Sequence, residues 1–67
     1  MPVNRATAGE ALRVMREAQG LTLRQLASLA DVNHAYLSQV ERGLKEAHPR
    51  WMQAVKNALA DNLRGVA

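Results

Sequence analysis

Apolar side chains recur at helical intervals in four stretches of the chain, with polar residues filling the spaces between them. Ala8, Ala11, Leu12 and Met15 form the first stripe, Leu26, Ala27 and Ala30 the second, Leu37 and Val40 the third, and Met52, Val55, Leu59 and Leu63 the fourth. Spacings of three and four put such residues on one face of a helix, and no stretch alternates as a half-buried strand does. The punctuation agrees with the stripes. Thr7 with Glu10 and Thr22 with Gln25 have the capping-box spacing, Asn33 is a good single N-cap, and Pro49 suits a first helical position and starts a last helix near His48. Gly20, Gly43 and Gly65 stand where the apolar repeats run out, as residues that end helices do. The pattern predicts an all-α domain over 8–64, with helices at about 8–19, 23–30, 34–42 and 49–63 around one core, after an N-terminal arm, 1–7. Gly9 is out of place in this scheme: in a first helical turn it costs up to about 1 kcal/mol relative to alanine, and nothing in the sequence explains it.

Length and composition narrow the function. The chain has 67 residues and no cysteine, which removes disulfides, thiolate catalysis and cysteine-ligated metal. A domain of this size buries only about 60 % of the surface its unfolded chain exposes, leaving little room for a core and an enclosed pocket together. That argues against an enzyme and against a small-molecule ligand. No run approaches the roughly 20 apolar residues of a membrane span, and the opening Met1-Pro-Val-Asn-Arg-Ala-Thr lacks the apolar stretch of a signal peptide, so a cytoplasmic protein without membrane contact is expected. Nine Lys and Arg against six Asp and Glu give a formal charge of +3 and a pI near 10.2. Such a balance suits an anionic partner. Tyr36 and Trp51 are the only aromatics, too few for the stacking platforms that hold single strands, which turns the expectation towards duplex nucleic acid.

The catalytic groupings are poor. His34 and Ser38 stand four apart with Asp31 nearby, which supplies the residue types of a hydrolase triad. A convex helix provides no oxyanion hole and no pocket that excludes water, so catalysis is not expected. His34 and His48 lack a third ligand for zinc, and no glycine-rich phosphate loop occurs. Neither a metal nor a cofactor is expected.

The link between the second and third helices carries more information. Only Asp31, Val32 and Asn33 separate Ala30 from His34, too few for an antiparallel hairpin of helices and suited to a turn that sets two short helices at a steep angle. Ala27 is the small residue such a crossing needs. The run Leu21-Thr-Leu-Arg-Gln-Leu-Ala-Ser-Leu-Ala-Asp-Val-Asn-His-Ala-Tyr-Leu-Ser-Gln-Val-Glu-Arg-Gly43 resembles the helix-turn-helix of the Cro/cI-type, lambda-repressor-like family. Two positions depart from its usual pattern. Asp31 stands where a turn glycine is common, and aspartate also visits left-handed backbone readily. Leu23 stands where a glutamine often touches the DNA backbone, and leucine cannot make that hydrogen bond.

The resemblance implies a compact four-helix lambda-repressor-like domain in which the helix over 33–42 lies in the major groove of double-stranded DNA. The base-reading residues would be Asn33, His34, Ala35, Ser38 and Gln39; taken alone, this polar face is what any amphipathic helix presents. Phosphate contacts would come from Thr22 and Arg24 at the start of the second helix and from Arg42, Lys45, His48 and Arg50 after it. Arg16 and Glu41 would form an ion pair fixing the reading helix. Asn4 and Arg5 in the arm could reach a minor groove, and Trp51 would be a partly buried wedge in the fourth helix. Relatives often dimerise through a fifth helix, and only Arg64, Gly65, Val66 and Ala67 follow Leu63, so a monomer or weak homodimer that pairs on its operator is expected. The implied function is that of a small phage or mobile-element repressor. Two alternatives stay open: the antitoxin of a toxin–antitoxin pair, and a protein-interaction module without DNA binding, such as an anti-repressor, which the leucine at 23 would suit.

Overall fold

The structure, a computed structural model, describes residues 8–65. The arm with Asn4, Arg5 and the Thr7 cap lies outside the described residues. Four helices follow one another, α1 (Ala8–Ala18), α2 (Leu23–Ala30), α3 (His34–Glu41) and α4 (Pro49–Leu63), with no strand among the described residues. The first and third stop one residue short of the sequence reading because Gln19 and Arg42 are drawn into the closing turns. One device closes all three short helices. At Gly20, Asp31 and Gly43 the backbone turns left-handed, and the next N–H reaches back five residues: Leu21 to the Arg16 carbonyl at 3.1 Å, Val32 to Ala27 at 2.9 Å and Leu44 to Gln39 at 2.8 Å. These bonds satisfy carbonyls that a helix end leaves without partners.

The core consists of Leu12, Leu26, Ala27, Leu37, Val40, Val55, Ala58 and Leu59. Two of the predicted stripes are corrected. In α1 only Leu12 of the four residues is buried; Ala8 and Ala11 are exposed and Met15 is 38 % exposed. The helix is rolled so that Gly9, Leu12 and Arg16 face inward, because its contact with α3 is made by a residue without a side chain and by an ion pair. In α4 the inward line runs Val55, Ala58, Leu59 and Asn62, leaving Leu63 75 % exposed. Asn62 takes the inward place because it is held there. Its Nδ2 donates to Gln19 Oε1 at 2.6 Å, while Gln19 Nε2 donates to the Leu59 carbonyl at 3.1 Å. The next residue along a helix points about 100° away.

Glu41 is the one charged residue buried among the described residues, and Arg16 answers it. Arg16 Nε donates to Glu41 Oε2 at 2.9 Å and its Nη2 to Oε1 at 3.0 Å, a two-point fork on the carboxylate. The remaining arm of the guanidinium, Nη1, donates to the Leu21 carbonyl at 2.9 Å. The hydrogen bond to Glu41 raises the Arg16 pKa above its ordinary value, against the opposing effect of burial. One side chain thus joins α1, the α1–α2 turn and the end of α3.

Glu41→Ala leaves a guanidinium with 13 % of its side chain exposed and without its counter-charge, which is expected to cost about 3 kcal/mol. Cores of chains this short rarely supply more than roughly 3–5 kcal/mol in total, so the variant should be largely unfolded at 25 °C. Arg16→Lys should not spare the fold, since an ammonium cannot reproduce the fork. Urea unfolding followed by circular dichroism checks both; a Glu41→Ala midpoint equal to that of the wild type would show that the pair contributes no net stability.

Candidate nucleic-acid interface

α2 begins at Thr22, whose Oγ1 accepts from the Gln25 N–H at 3.0 Å while Gln25 Oε1 accepts from the Thr22 N–H at 2.8 Å. The hydroxyl hydrogen of Thr22 remains free to donate outward. Leu23 is half-buried against the core, so the residue that replaces a polar one at this place is used for packing. The turn then closes on Asp31 at φ 58° and ψ 49°. Aspartate thus occupies the left-handed position itself, and the turn keeps its form without glycine. Val32 packs on the core behind it, and buried Ala27 lets the two helices approach.

α3 turns Leu37, Val40 and Glu41 inward. On its other side Asn33, His34 and Ala35 are exposed, Ser38 and Gln39 are half-buried, and Arg42 continues the outward line one turn on. Ala35, Ser38, Gln39 and Arg42 have the spacing of a single helical face. The five residues assigned to base readout are therefore on one surface, although Asn33 is partly committed: its Oδ1 accepts from the Tyr36 N–H at 2.9 Å as the helix cap. Its amide nitrogen is left to face outward. His34, Ser38 and Asp31 are not joined by any hydrogen bond, and no group of three metal-binding side chains occurs among the described residues.

The cations sort into two sets. Arg13, Arg16 and Arg64 pair with Glu17, Glu41 and Asp61. Among the described residues Arg24, Arg42, Lys45 and Arg50 form no ion pair and are exposed. Those are the four cations assigned to phosphate; Lys56 on α4, not in that set, is likewise exposed and unpaired. His48, also in that set, is the N-cap of α4: its Nδ1 accepts from the Arg50 N–H at 3.0 Å. The cap requires the ring proton to sit on Nε2, which is left free to donate.

One connection escaped the sequence reading. Tyr36 and Trp51 meet edge to face, with ring centroids 5.1 Å apart and planes at 85°, and the Tyr36 hydroxyl donates to the Glu46 carbonyl at 3.4 Å. The pair ties α3 to α4 and to the loop that carries Lys45 and His48. That the chain has just two aromatics, both on helices expected to share a core, was the available signal.

Comparison with known proteins places these features in company. A family model described as a helix-turn-helix domain matches residues 7–61. The transcriptional regulator ClgR of Mycobacterium tuberculosis is 42% identical over 55 residues, covering 82% of this chain and 49% of that protein. An HTH-type transcriptional regulator of Mycobacterium bovis, Mb0023, is 37% identical over 57 residues, covering 85% of this chain and 22% of its own. Another from Mycobacterium tuberculosis, Rv0474, is 39% identical over 51 residues, covering 76% and 36%. The chain thus spans about half or less of the length of these curated relatives. No solved structure matches it.

The left-handed turn residue can be tested directly. Asp31→Val forces a β-branched side chain into backbone that L-residues avoid and should cost about 1–2 kcal/mol, whereas Asp31→Gly should hold the urea midpoint or raise it. An unshifted midpoint for Asp31→Val would mean that the turn relaxes without penalty.

Proposed function

The chain belongs to the helix-turn-helix domain family, and from that premise we propose that it is the DNA-binding part of a transcriptional regulator, docking on duplex DNA with α3 in the major groove. The observation that carries this reading is the segregation of charge: the cations flanking α3 have no carboxylate partners, while of the other cations among the described residues all but Lys56 are paired. Arg24 and the Thr22 hydroxyl at the start of α2 hold one phosphate strand, aided by the positive end of the helix dipole. Arg42, Lys45, His48 Nε2 and Arg50 hold the other side. Between them His34, Ala35, Ser38 and Gln39 face base edges: glutamine suits adenine, histidine a guanine acceptor, and the alanine methyl a thymine methyl. Regulation follows by occupancy, an operator covered by the protein being closed to polymerase.

Leu23 bears on the alternative of a protein-interaction module that has lost DNA binding. Its packing against the core gives the departure from glutamine a structural reason, which favours the DNA-binding reading over that alternative. Whether the domain serves a phage or mobile-element repressor or an antitoxin is read from its neighbours: co-purification of a second protein encoded beside it favours the antitoxin. On DNA, two copies should occupy half-sites about one helical turn, roughly 34 Å, apart, as a monomer or weak dimer in solution.

Affinity for duplex DNA should fall with salt at a slope of log K against log salt near −5, if a pair of domains neutralises about six phosphates. A slope near zero would remove the DNA-binding reading. Within that reading, Gln39→Ala should weaken binding to the operator by about 1–3 kcal/mol and leave scrambled duplex almost unaffected. Lys45→Ala should weaken both alike and lower the salt slope by about one per site removed. Competition titration at fixed salt distinguishes them; equal losses for Gln39→Ala would reduce that residue to a positioning contact.

A further inference from the structure

α1 crosses the end of α3 at Gly9, which is buried. An ideal Cβ placed on Gly9 lies 1.9 Å from the Val40 carbonyl oxygen, 2.8 Å from its carbon and 3.4 Å from Glu41 Cα. All three are backbone atoms, so no flexible side chain can swing aside. The same carbonyl accepts the Gly43 N–H that closes α3, at 3.0 Å, and the next residue is Glu41, the anchor of Arg16. The two helices are therefore in backbone contact at one point and joined by an ion pair at the adjoining residue.

We infer that Gly9 is a positioning residue for base readout: its missing side chain sets the distance between α1 and the reading helix, and through it the depth and angle at which His34, Ala35, Ser38 and Gln39 meet the groove. The inference rests on the DNA-binding reading and adds to it a specificity determinant on a helix that presents none of the reading side chains. A methyl group at this position has to separate the two backbones by roughly 1.5 Å to regain ordinary van der Waals contact. A base hydrogen bond tolerates a spread of only about 0.5 Å between donor and acceptor. Phosphate contacts depend less on α3: Arg42 caps its end, but Arg24, Lys45, His48 and Arg50 lie on α2, the α3–α4 loop and the start of α4. Displacement of α3 is thus a loss of sequence discrimination first and of affinity second. Alanine is the better helix former, so helix propensity alone would make Gly9→Ala harmless.

The test is the ratio of affinities for two duplexes at fixed salt: one that the wild-type protein enriches from a random pool, and a scrambled version of it. A partly unfolded variant weakens both by the same factor, so the ratio is independent of the folded fraction and can be read even if Gly9→Ala is unstable, with trimethylamine N-oxide added to raise the folded population. Gly9→Ala should lower the ratio about 5- to 150-fold, the worth of one lost bidentate base contact, while the slope with salt on scrambled duplex stays that of the wild type. Equal losses on both duplexes, including loss of all binding, would overturn the inference and leave Gly9 as a packing residue. A wild-type protein that enriches no sequence would instead remove the DNA-binding reading, which separates the two failures.

Discussion

The Arg16–Glu41 pair is the constraint on which the arrangement depends. A carboxylate with 3 % of its side chain exposed is tolerable only with a partner that satisfies it, and Arg16 does so at two points while its third donor holds the Leu21 carbonyl. A buried pair of this kind is weak as a source of net stability compared with a well-packed apolar equivalent, but breaking it is expensive. Its use is therefore geometric. It admits one orientation of α1 against α3, and it explains why α1 is rolled away from the apolar stripe its sequence offers. The exposed faces of Ala11 and Met15 are the consequence of seating an arginine inside.

α3 is also fixed from two other directions. At its start the left-handed Asp31 and the inward Val32 join it to α2 through a turn with no spare residues. Along its flank Tyr36 leans on Trp51 and donates to the Glu46 carbonyl, which sets the Lys45 and His48 segment relative to the same helix. An eight-residue helix has little stability of its own. Held at its start, its flank and its end, it can present short polar side chains at defined positions, which is what recognition of base edges demands and what an isolated amphipathic helix could not supply.

Much of this was legible in the sequence, and the failures have particular causes. Helix starts were readable because Thr22 and Asn33 announce caps chemically, and helix ends because glycine or aspartate marks the left-handed residue. The helix-turn-helix run was readable because three residues, Asp31 to Asn33, are too few for an antiparallel hairpin of helices, and because the run from Leu21 to Gly43 resembles that of a known family. Rotation of a helix was not readable from apolar spacing alone: α1 carries its apolar residues over nearly half its circumference, and the edge of that arc was turned inward by Gly9 and by Arg16, neither of which counts as apolar in such a pattern. The same holds for Leu63, displaced from the core by the Gln19–Asn62 hydrogen bond between side chains 43 residues apart. His48 was placed near the start of α4, but its role as the cap depends on Nδ1 geometry that composition does not encode.

The distribution of charge follows from the same economy of space. With six acidic residues and nine Lys and Arg in so short a chain, a basic surface cannot be made by excess alone; it is helped where acids are paired elsewhere, as three of the six are. Glu17 and Asp61 sit within three or four residues of Arg13 and Arg64 on their own helices, and Glu41 is consumed inside the domain. Local pairing of exposed charges contributes little to stability, so its effect here is on the field: each pair closes on itself, and among the described residues Arg24, Arg42, Lys45, Arg50 and Lys56 stay open against the unpaired acids Glu10, Asp31 and Glu46. Attraction to a phosphate backbone depends on the charges within a Debye length of it and not on the total, so Arg24, Arg42, Lys45 and Arg50 set the field over the face that carries α3, reduced by Asp31 and Glu46 beside them.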